Sequence, residues 1–570
     1  MIRYCLISLF IVLSNCGVAQ SFSGYPQNDF INPVVGKMEI IGTFCELRPN
    51  HFHGGLDIRT GGEIGKPIIA VADGYVSRIN ISSLGYGKAL YITHPNGYTS
   101  VYAHLSDFPD PIKWYIEKNQ YSKQKWELEL YPERDLLQVK QGQLVAYSGN
   151  TGGSQGPHLH FEIRHTASEA PVNPLLFGLK MADHLPPVLN NVFLYGKDTM
   201  AKLLNGHYPS ENLPLYRSQT VTIKKKKRKI LVPIGEHKIA FGTYAFGANI
   251  RDIATSNGDN NGVNYLQVYH NDELIYDCSI EQFLFSQMRM HNNYIDFRRQ
   301  KQGGIKMHKL FIEDGNTLAF YPDPDLKGWF TINDTLLHTF KIIAKDIYGN
   351  ATEKTVVLRG DVGGKKITDY YPYYKDKHLC KANIDNAFTI GDNFKLNLPK
   401  NTLYADYYLN FYKNFGDNYT IGHELVPLDK RMELSFKLKA EQVPIGHKYV
   451  VCGVNGKSYG GKFKNGWLTA GVKEFGTYYY ALDTIKPSIK PLQLNKRGYF
   501  SFQISDNLSG ISDFDFYIDD EWVLLDYESK ASLLFGRVPN PIGAGKHIIR
   551  LVVYDERQNA RTYTKEINVL

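Results

Sequence analysis

The segment GPHLHFEIR, residues 156–164, alternates polar and apolar side chains as a β-strand does. Successive side chains of a strand point to opposite faces of the sheet. The polar side chains therefore share one face and the apolar ones the other: His158, His160, Glu162 and Arg164 against Leu159, Phe161 and Ile163. The apolar face can pack on a core while the two imidazoles project together, which favours a metal site.

A second segment, HFHGGLDIRT at 51–60, places a histidine and an aspartate around two glycines. A glycine pair weakens a helix by about 1 kcal/mol per residue. On an extended backbone His53 and Asp57 share a face by parity, while Leu56 and Ile58 point to the core. We therefore expect the imidazole and the carboxylate to reach one point in space.

Together the two segments predict a metal centre. His53, Asp57 and one imidazole of the pair His158 and His160 give two nitrogens and one carboxylate oxygen. Three such ligands with an open fourth position are typical of catalytic zinc. A hydrolase also needs groups that move protons, and the spare histidines are His104, in VYAHLS, and the member of the pair that does not bind metal. We interpret Glu162 as a residue that orients an imidazole rather than as a general base.

These motifs resemble one known family. His-x-Gly-x-Asp, Tyr-x-His-Leu and Gly-Pro-His-Leu-His-Phe-Glu, in this order, are similar to the signature of the lysostaphin-type, or LytM-like, zinc endopeptidases of bacterial cell walls. The resemblance covers about 35–178. It implies a small antiparallel β domain of the duplicated hybrid motif type that cleaves peptide bonds in peptidoglycan. It also implies the site: one zinc ion on His53, Asp57 and His160, with His104 and His158 as catalytic histidines.

One segment departs from the family pattern. Residues 110–135, between the two catalytic histidines, have helical character and no strand alternation. We expect an inserted helix or lid that reshapes the substrate groove. The remaining histidines of this region, His51, His94 and His165, are interpreted as surface or hydrogen-bonding residues.

The N-terminal residues, MIRYCLISLFIVLSNCGVAQ, have the form of a secretory signal peptide spanning 1–20, with cleavage near Ala19 or Gln20. A lipidated Cys16 is the lesser alternative. We expect an exported protein of the periplasm or cell envelope, with no transmembrane helix in the mature chain. The net charge of +8 is modest for 570 residues; it favours weak attraction to anionic envelope polymers and does not indicate nucleic acid.

The length predicts three or four domains, and 40 Tyr with 30 Phe favour a mainly β protein. We predict a peptidase domain over 25–180, an immunoglobulin-like β-sandwich with an insertion over 186–360, a β-rich domain over 385–483 and a second immunoglobulin-like sandwich over 484–570. These sandwiches are candidate binding sites for an envelope protein partner.

An internal repeat supports the two sandwiches. Each copy has an apolar strand, an Asp, an Asn four residues later, an Ala and a final strand: Asp346, Asn350 and Ala351 match Asp555, Asn559 and Ala560. An upstream Asp precedes each, Asp252 by 94 residues and Asp506 by 49, so the first copy carries an insertion.

Two further features have structural interpretations. The basic run KKKKRK at 224–229 lies between strand-like segments, and we favour a solvated hairpin over an anion site. The cysteines beyond the leader are too dispersed for a disulfide framework or a thiolate metal site, so we expect buried thiols or at most one bridge: Cys45, Cys278, Cys380 and Cys452.

Three functions remain open from the sequence. The first is an active peptidoglycan endopeptidase. The second is a non-catalytic regulator that binds other wall hydrolases, although such relatives usually lose zinc ligands and none is missing here. The third is an adhesion or scaffold protein whose sandwiches bind peptidoglycan or an envelope partner.

Overall fold

The computed structural model describes residues 24–223, 226–253, 261–369, 377–496, 498–538 and 542–569. The predicted signal peptide, including Cys16, lies outside these residues, as do Lys224 and Lys225 of the basic run. No helix in the described part of the chain is long and apolar enough to cross a membrane. The structure is mainly β, as the sequence predicts.

The N-terminal region has a nine-stranded antiparallel sheet and two small sheets. Its strands are β1 (Ile40–Gly42), β2 (Leu47–Arg48), β3 (His51–Phe52), β4 (Leu56–Arg59), β5 (Pro67–Ile69), β6 (Gly74–Ile81), β7 (Lys88–Thr93), β8 (Tyr98–Leu105), β9 (Leu128–Leu130), β10 (Gln138–Val139), β11 (Leu144–Tyr147), β12 (His158–His165) and β13 (Pro171–Val172), with helix α1 at Ile112–Lys123 and a 3-10 turn at Pro174–Phe177. The order of the main sheet is β1-β4-β12-β8-β7-β6-β10, so β12 lies between β4 and β8, and the two small sheets are β2-β3 and β5-β11.

The predicted hairpin and insertion are both present, the second with a correction. Strands β7 and β8 pair around a turn in which Gly97 has a positive φ of 85°. The helical prediction for 110–135 holds only over α1, because Leu128–Leu130 form strand β9 and extend the main sheet along β6. Beyond the helix, Trp126 is buried, and its indole Nε1 donates to Asp526 Oδ1 of the C-terminal sandwich at 2.9 Å. The insertion therefore contacts another domain.

The next region is a two-sheet sandwich with additions. It contains β14 (Val188–Gly196), β15 (Ser210–Leu213), β16 (Tyr216–Ile223), β17 (Lys226–Pro233), β18 (His237–Ile239), β19 (Gly242–Arg251), β20 (Tyr265–His270), β21 (Glu273–Ser279), β22 (His308–Lys309), β23 (Phe330–Ile332), β24 (Leu337–Lys345) and β25 (Ala351–Gly360), helices α2 (Thr199–Asn205), α3 (His291–Tyr294) and α4 (Phe297–Gly303), and a 3-10 turn at Phe285–Met290. Strands β16 and β17 pair as a separate hairpin, which agrees with the interpretation of the basic run.

The third region again has two main sheets. Its strands are β26 (His378–Cys380), β27 (Asn386–Ile390), β28 (Phe394–Leu398), β29 (Tyr407–Leu409), β30 (Phe411–Lys413), β31 (Tyr419–Ile421), β32 (Met432–Lys437), β33 (Tyr449–Gly453), β34 (Lys462–Lys464), β35 (Trp467–Val472) and β36 (Gly476–Leu482), with a 3-10 segment at Ala440–Lys448. Five strands form one sheet, β27-β28-β32-β35-β34, and four form the other, β30-β31-β36-β33.

The C-terminal region is a second sandwich. It comprises β37 (Ser488–Lys496), β38 (Tyr499–Ser505), β39 (Ile511–Ile518), β40 (Glu521–Trp522), β41 (Asp526–Glu528), β42 (Leu533–Arg537), β43 (Gly545–Asp555) and β44 (Ala560–Val569), with a 3-10 turn at Ser529–Ala531. Its sheet β44-β43-β39-β40 has the order of β25-β24-β20-β21 in the first sandwich, and β37-β38-β42 matches β14, β19 and β23. The common topology supports the internal repeat. The four predicted thiols are free and buried: Cys45, Cys278, Cys380 and Cys452.

Candidate metal centre and catalytic histidines

Strand β4 brings the segment 51–60 against the segment 156–164, because β4 pairs with β12. In this pairing Asp57 lies opposite His160. Leu56 and Ile58 are fully buried, as strand parity predicts. Residues 53–55 lie between β3 and β4 rather than within one continuous strand. A Cβ atom on Gly55 would stand 2.2 Å from the carbonyl oxygen of Phe161. The glycine pair is therefore needed for the close approach of this segment to β12.

Three ligand-type atoms converge in the resulting cleft. His53 Nε2 lies 3.0 Å from Asp57 Oδ1 and 3.0 Å from His160 Nδ1, and His160 Nδ1 lies 2.9 Å from Asp57 Oδ1. All three residues are buried, with at most 6% of their surface exposed. Two imidazole nitrogens and a carboxylate oxygen at one point form the donor set of a catalytic zinc ion.

The ring nitrogen of His53 and of His160 that points away from the cluster also has a hydrogen-bond partner. His53 Nδ1 lies 2.8 Å from the carbonyl oxygen of Thr43, and His160 Nε2 lies 2.7 Å from Glu162 Oε1. Each outer nitrogen therefore donates its proton, and the other nitrogen faces the cluster. Burial alone would lower the pKa of His160, but hydrogen bonds to Asp57 and Glu162 outweigh it and raise the pKa to about 9. A bound metal ion would replace the second proton on this ring.

Glu162 connects His160 to a buried hydrogen-bond network with Arg164 and Tyr86. It is fully buried, accepts from Arg164 Nε at 2.7 Å and accepts from the Tyr86 hydroxyl at 2.7 Å. Burial alone would raise its pKa, but Arg164 and His160 outweigh burial and lower it to about 2. The carboxylate therefore stays ionised and orients the His160 ring.

Asp57 is anchored on its second oxygen. The guanidinium of Arg48 donates to Asp57 Oδ2, while Oδ1 faces the histidines. Burial alone would raise the pKa of Asp57, but the neighbouring imidazoles, that of His53 first, hold it well below its usual range. Sequence reasoning missed Arg48 and Tyr86, because contacts between residues on different strands give no local pattern.

The two other predicted histidines stand beside the cluster. The His104 and His158 rings have centroids 4.9 Å apart, and His158 Nε2 lies 3.4 Å from Asp57 Oδ1. His104 Nδ1 lies 2.8 Å from the Thr151 carbonyl oxygen, and His158 Nδ1 lies 2.8 Å from that of Gly156. A ring that donates from Nδ1 keeps a lone pair on Nε2, which can accept a proton.

His104 has an unusual backbone. Its φ is +61°, and the pairing of β7 with β8 shifts register here, between Lys88 and Leu90. Such a bulge redirects a side chain, and a left-handed residue other than glycine is a mark of a functional position. Burial, with repulsion from His160 and His158, lowers the pKa of His104 to about 3, so its imidazole is neutral.

The loop that holds both histidines is itself held by the C-terminal sandwich. Lys530 Nζ donates to the carbonyl oxygen of Ser154 at 2.9 Å and to that of Asn150. Thr151 and Gly156, the partners of the two histidines, lie in the same loop. His51, His94 and His165 lie outside the cluster. His51 and His94 hydrogen-bond to neighbouring residues, and the His165 ring contacts that of Tyr98.

Comparison with known proteins agrees with this geometry. The profile described as "Peptidase family M23" matches residues 51–121 and 134–174. The N-terminal domain is an M23 peptidase domain. The gap between the two matched ranges falls within the insertion. Residues 377–483 match a Zu5-like domain, which includes the β-rich region predicted over 385–483.

The curated relatives match a short part of this chain. An uncharacterized metalloprotease of Haemophilus influenzae is 36% identical over 129 residues, which are 23% of this chain and 21% of the relative. The DD-carboxypeptidase/endopeptidase Mpg of Neisseria meningitidis is 35% identical over 115 residues, 20% of each chain. The murein hydrolase activator NlpD of Escherichia coli is 34% identical over 123 residues, 22% of this chain and 25% of NlpD. The chain thus spans about a fifth to a quarter of the length of these relatives.

Among solved structures, the catalytic domain of the prophage-encoded M23 protein EnpA from Enterococcus faecalis is similar to this chain. The two are 26% identical, and the match covers 26% of this chain and 96% of the EnpA domain, with a TM-score of 0.20.

Proposed function

We propose that the M23 domain is an exported zinc metallo-endopeptidase that hydrolyses peptide bonds in the stems or cross-links of peptidoglycan. The observation that supports it most is the convergence of three ligand atoms within 3.0 Å, with two further histidines beside them. The M23 match and the endopeptidase name of the Neisseria relative support the same activity. The leader-like N-terminal sequence supports export to the compartment that contains peptidoglycan.

The residues fit one zinc ion. His53 Nε2, Asp57 Oδ1 and His160 Nδ1 would hold it, because these atoms face one another and their outer partners fix each ring. Zinc on two nitrogens and one carboxylate acts as a Lewis acid and lowers the pKa of water to about 7.

The chain's own residues supply the proton transfers. The neutral His104 ring and the His158 ring present Nε2 beside the cluster, so either is placed to accept the proton of the attacking water. Protonated, the same nitrogens can donate a hydrogen bond to the oxyanion and then transfer the proton to the leaving amine. Thr151 and Gly156 hold the rings from behind, which reduces reorganisation during the reaction.

A non-catalytic regulator is the second candidate. It is favoured by one comparison, the 34% identity to a protein named as a murein hydrolase activator. In this proposal the cleft binds peptidoglycan or a wall hydrolase without turnover, and the C-terminal β domains bind an envelope partner.

The experiment is mass spectrometry of purified peptidoglycan after digestion by the wild-type protein, His160→Ala and His165→Ala. His165 ends the strand that carries His160 and lies outside the cluster, so its variant is a matched control. We expect cleaved peptide products from the wild type and from His165→Ala, and a loss of at least about 1,000-fold with His160→Ala. Equal digestion by His160→Ala would refute the site. No cleavage by a zinc-loaded wild type would favour the regulator.

A further inference from the structure

The aspartates of the internal repeat meet outside the M23 site. In the first sandwich the carboxylates of Asp183, Asp252 and Asp346 each offer an oxygen, and these oxygens lie within 4.8 Å of one another. Asp252 follows β19, Asp346 follows β24, and Asp183 lies in the connection before β14. The three residues are 5%, 2% and 1% exposed. Three acidic side chains are thus buried together where the M23 domain joins the sandwich.

The C-terminal sandwich repeats the cluster with Asp483, Asp506 and Asp555. The carboxylates of Asp346 and Asp555 accept the same hydrogen bonds. In each, Oδ1 accepts from two backbone N–H groups of the following turn, and Oδ2 accepts from the side chain of the Asn four residues later, Asn350 or Asn559. The two clusters therefore occupy equivalent places in the two copies.

The linker aspartates are equivalent as well, although the sequence pattern alone did not reveal them. Asp183 and Asp483 each precede a proline by four residues, Pro187 and Pro487. The carbonyl oxygen of Pro187 accepts from Thr352 Oγ1, and that of Pro487 accepts from Arg561 Nε. Both donors stand six residues after the third aspartate, so the geometry of the junction is repeated.

Each cluster contains buried oxygen atoms without a hydrogen-bond partner among the described residues. They are Asp183 Oδ2 and Asp252 Oδ1 in the first sandwich, and Asp483 Oδ1 and Asp506 Oδ1 in the second. Asn261 pairs with Asp252 through an isolated backbone β-bridge. Its side-chain oxygen and nitrogen also have no hydrogen-bond partner among the described residues. A buried carboxylate oxygen without a partner is costly, and a bound ion or water is one explanation for it.

The electrostatics of the first cluster also favour a bound cation. Burial, followed by repulsion from Asp183 and Asp346, raises the pKa of Asp252 to about 8. Burial also raises the pKa of Asp183 and of Asp346. Ionised, the three carboxylates would repel one another at this buried point, and Asp183 and Asp252 can share a hydrogen bond only if one of them keeps a proton.

We propose that each sandwich binds one Ca²⁺ ion, through Asp183, Asp252 and Asp346 in the first and through Asp483, Asp506 and Asp555 in the second. Donor sets made only of oxygen favour hard cations, and Ca²⁺ takes oxygen ligands at about 2.3–2.6 Å, so ligands on opposite sides are up to about 5 Å apart. The spacing of 4.8 Å or less agrees with this. Since Asp183 and Asp483 lie in connecting segments, each ion ties a sandwich to the domain before it.

The test is calcium titration of the full protein, passed over chelating resin and reloaded with one equivalent of zinc. Calorimetry is expected to give two calcium sites, with dissociation constants on the order of 10⁻⁴ to 10⁻³ M, as in extracellular modules. Differential scanning calorimetry in about 10 mM calcium should show unfolding about 5 °C higher than in calcium-free buffer.

Matched variants assign the sites. Asp252→Asn and Asp506→Asn should each remove one site, and the double variant both. Asp272→Asn and Asp520→Asn remove the same charge from exposed positions of the same sandwiches, and both should keep two sites. His160→Ala should also keep two, which separates these sites from the M23 cluster.

Two results would overturn the proposal. One is a wild-type protein that shows neither calcium binding nor a shift of its unfolding temperature, as expected if Asp183 and Asp252 instead share a proton. The other is calcium binding that the double variant retains. Both outcomes are independent of peptidase activity.

Discussion

The two halves of the M23 site are held in different ways. The metal half, His53, Asp57 and His160, is buried against the main sheet. Its outer partners belong to the M23 domain, and one of them, Thr43, is held in turn by the first sandwich, whose Gly262 N–H donates to Thr43 Oγ1. The histidine half, His104 and His158, is held by carbonyl oxygens of one loop, which the C-terminal sandwich contacts through Lys530. Metal affinity should therefore be independent of the C-terminal sandwich, whereas turnover should depend on it.

Among variants outside the three ligands, the largest effect is expected from Gly55→Ala, which disrupts the metal half. The added Cβ would stand 2.2 Å from the Phe161 carbonyl oxygen, so β4 and β12 must separate. We expect the free energy of unfolding to fall by about 1–3 kcal/mol and turnover to fall by at least about 100-fold.

Calorimetry, zinc analysis and peptidoglycan digestion measure these effects. Gly235→Ala is the control, because a Cβ there meets nothing within 4 Å. A Gly55→Ala protein with normal zinc content and normal turnover would contradict the proposed packing of the two segments.

A smaller effect on the same half is expected from Glu162→Gln. The amide keeps the size of the side chain but removes the charge that orients His160 and balances Arg164. Loss of such an outer partner weakens metal binding by about 10–100-fold. Competition with a zinc chelator measures the affinity, and unchanged affinity would mean that Glu162 does not position the ligand. Glu169→Gln, an exposed carboxylate beside the same arginine, is the control.

The smallest effect is expected from Lys530→Gln, which sharpens the contrast between the halves. Loss of the ammonium contacts to the 150–156 loop should loosen the supports of His104 and His158. We expect turnover to fall about two- to five-fold with zinc affinity unchanged, because misplaced catalytic groups lower the rate without affecting the ligands. Lys546→Gln, an exposed lysine of the same sandwich, is the control. If zinc affinity fell with turnover, the two halves would not be separable.

Much of the metal half could be predicted from sequence. Strand parity placed the polar face of 158–164, because the period of a strand is fixed. His53 and Asp57 meet as expected, but His53 precedes β4 and does not share one continuous strand with Asp57. Parity could not say which of His158 and His160 faces the cluster, since both lie on one face. The structure directs His160 Nδ1 to His53 and Asp57, and the resemblance to the lysostaphin-type family implied that choice.

The histidine half and the interdomain contacts were less predictable. The helix expected over 110–135 ends at Lys123, because the apolar alternation at Leu128–Leu130 joins the sheet. Lys530 contacts Asn150 across 380 residues, and no local pattern reports such a pair. The repeat aspartates were found by pattern, but the linker aspartates Asp183 and Asp483 needed the structure.

The central claim is that His53, Asp57 and His160 bind one zinc ion. The most direct measurement is an anomalous diffraction map of the full protein, recorded on both sides of the zinc absorption edge. We expect one zinc peak about 2.0–2.2 Å from His53 Nε2, Asp57 Oδ1 and His160 Nδ1. A protein that crystallises from zinc-containing buffer with no peak between these three atoms would contradict it.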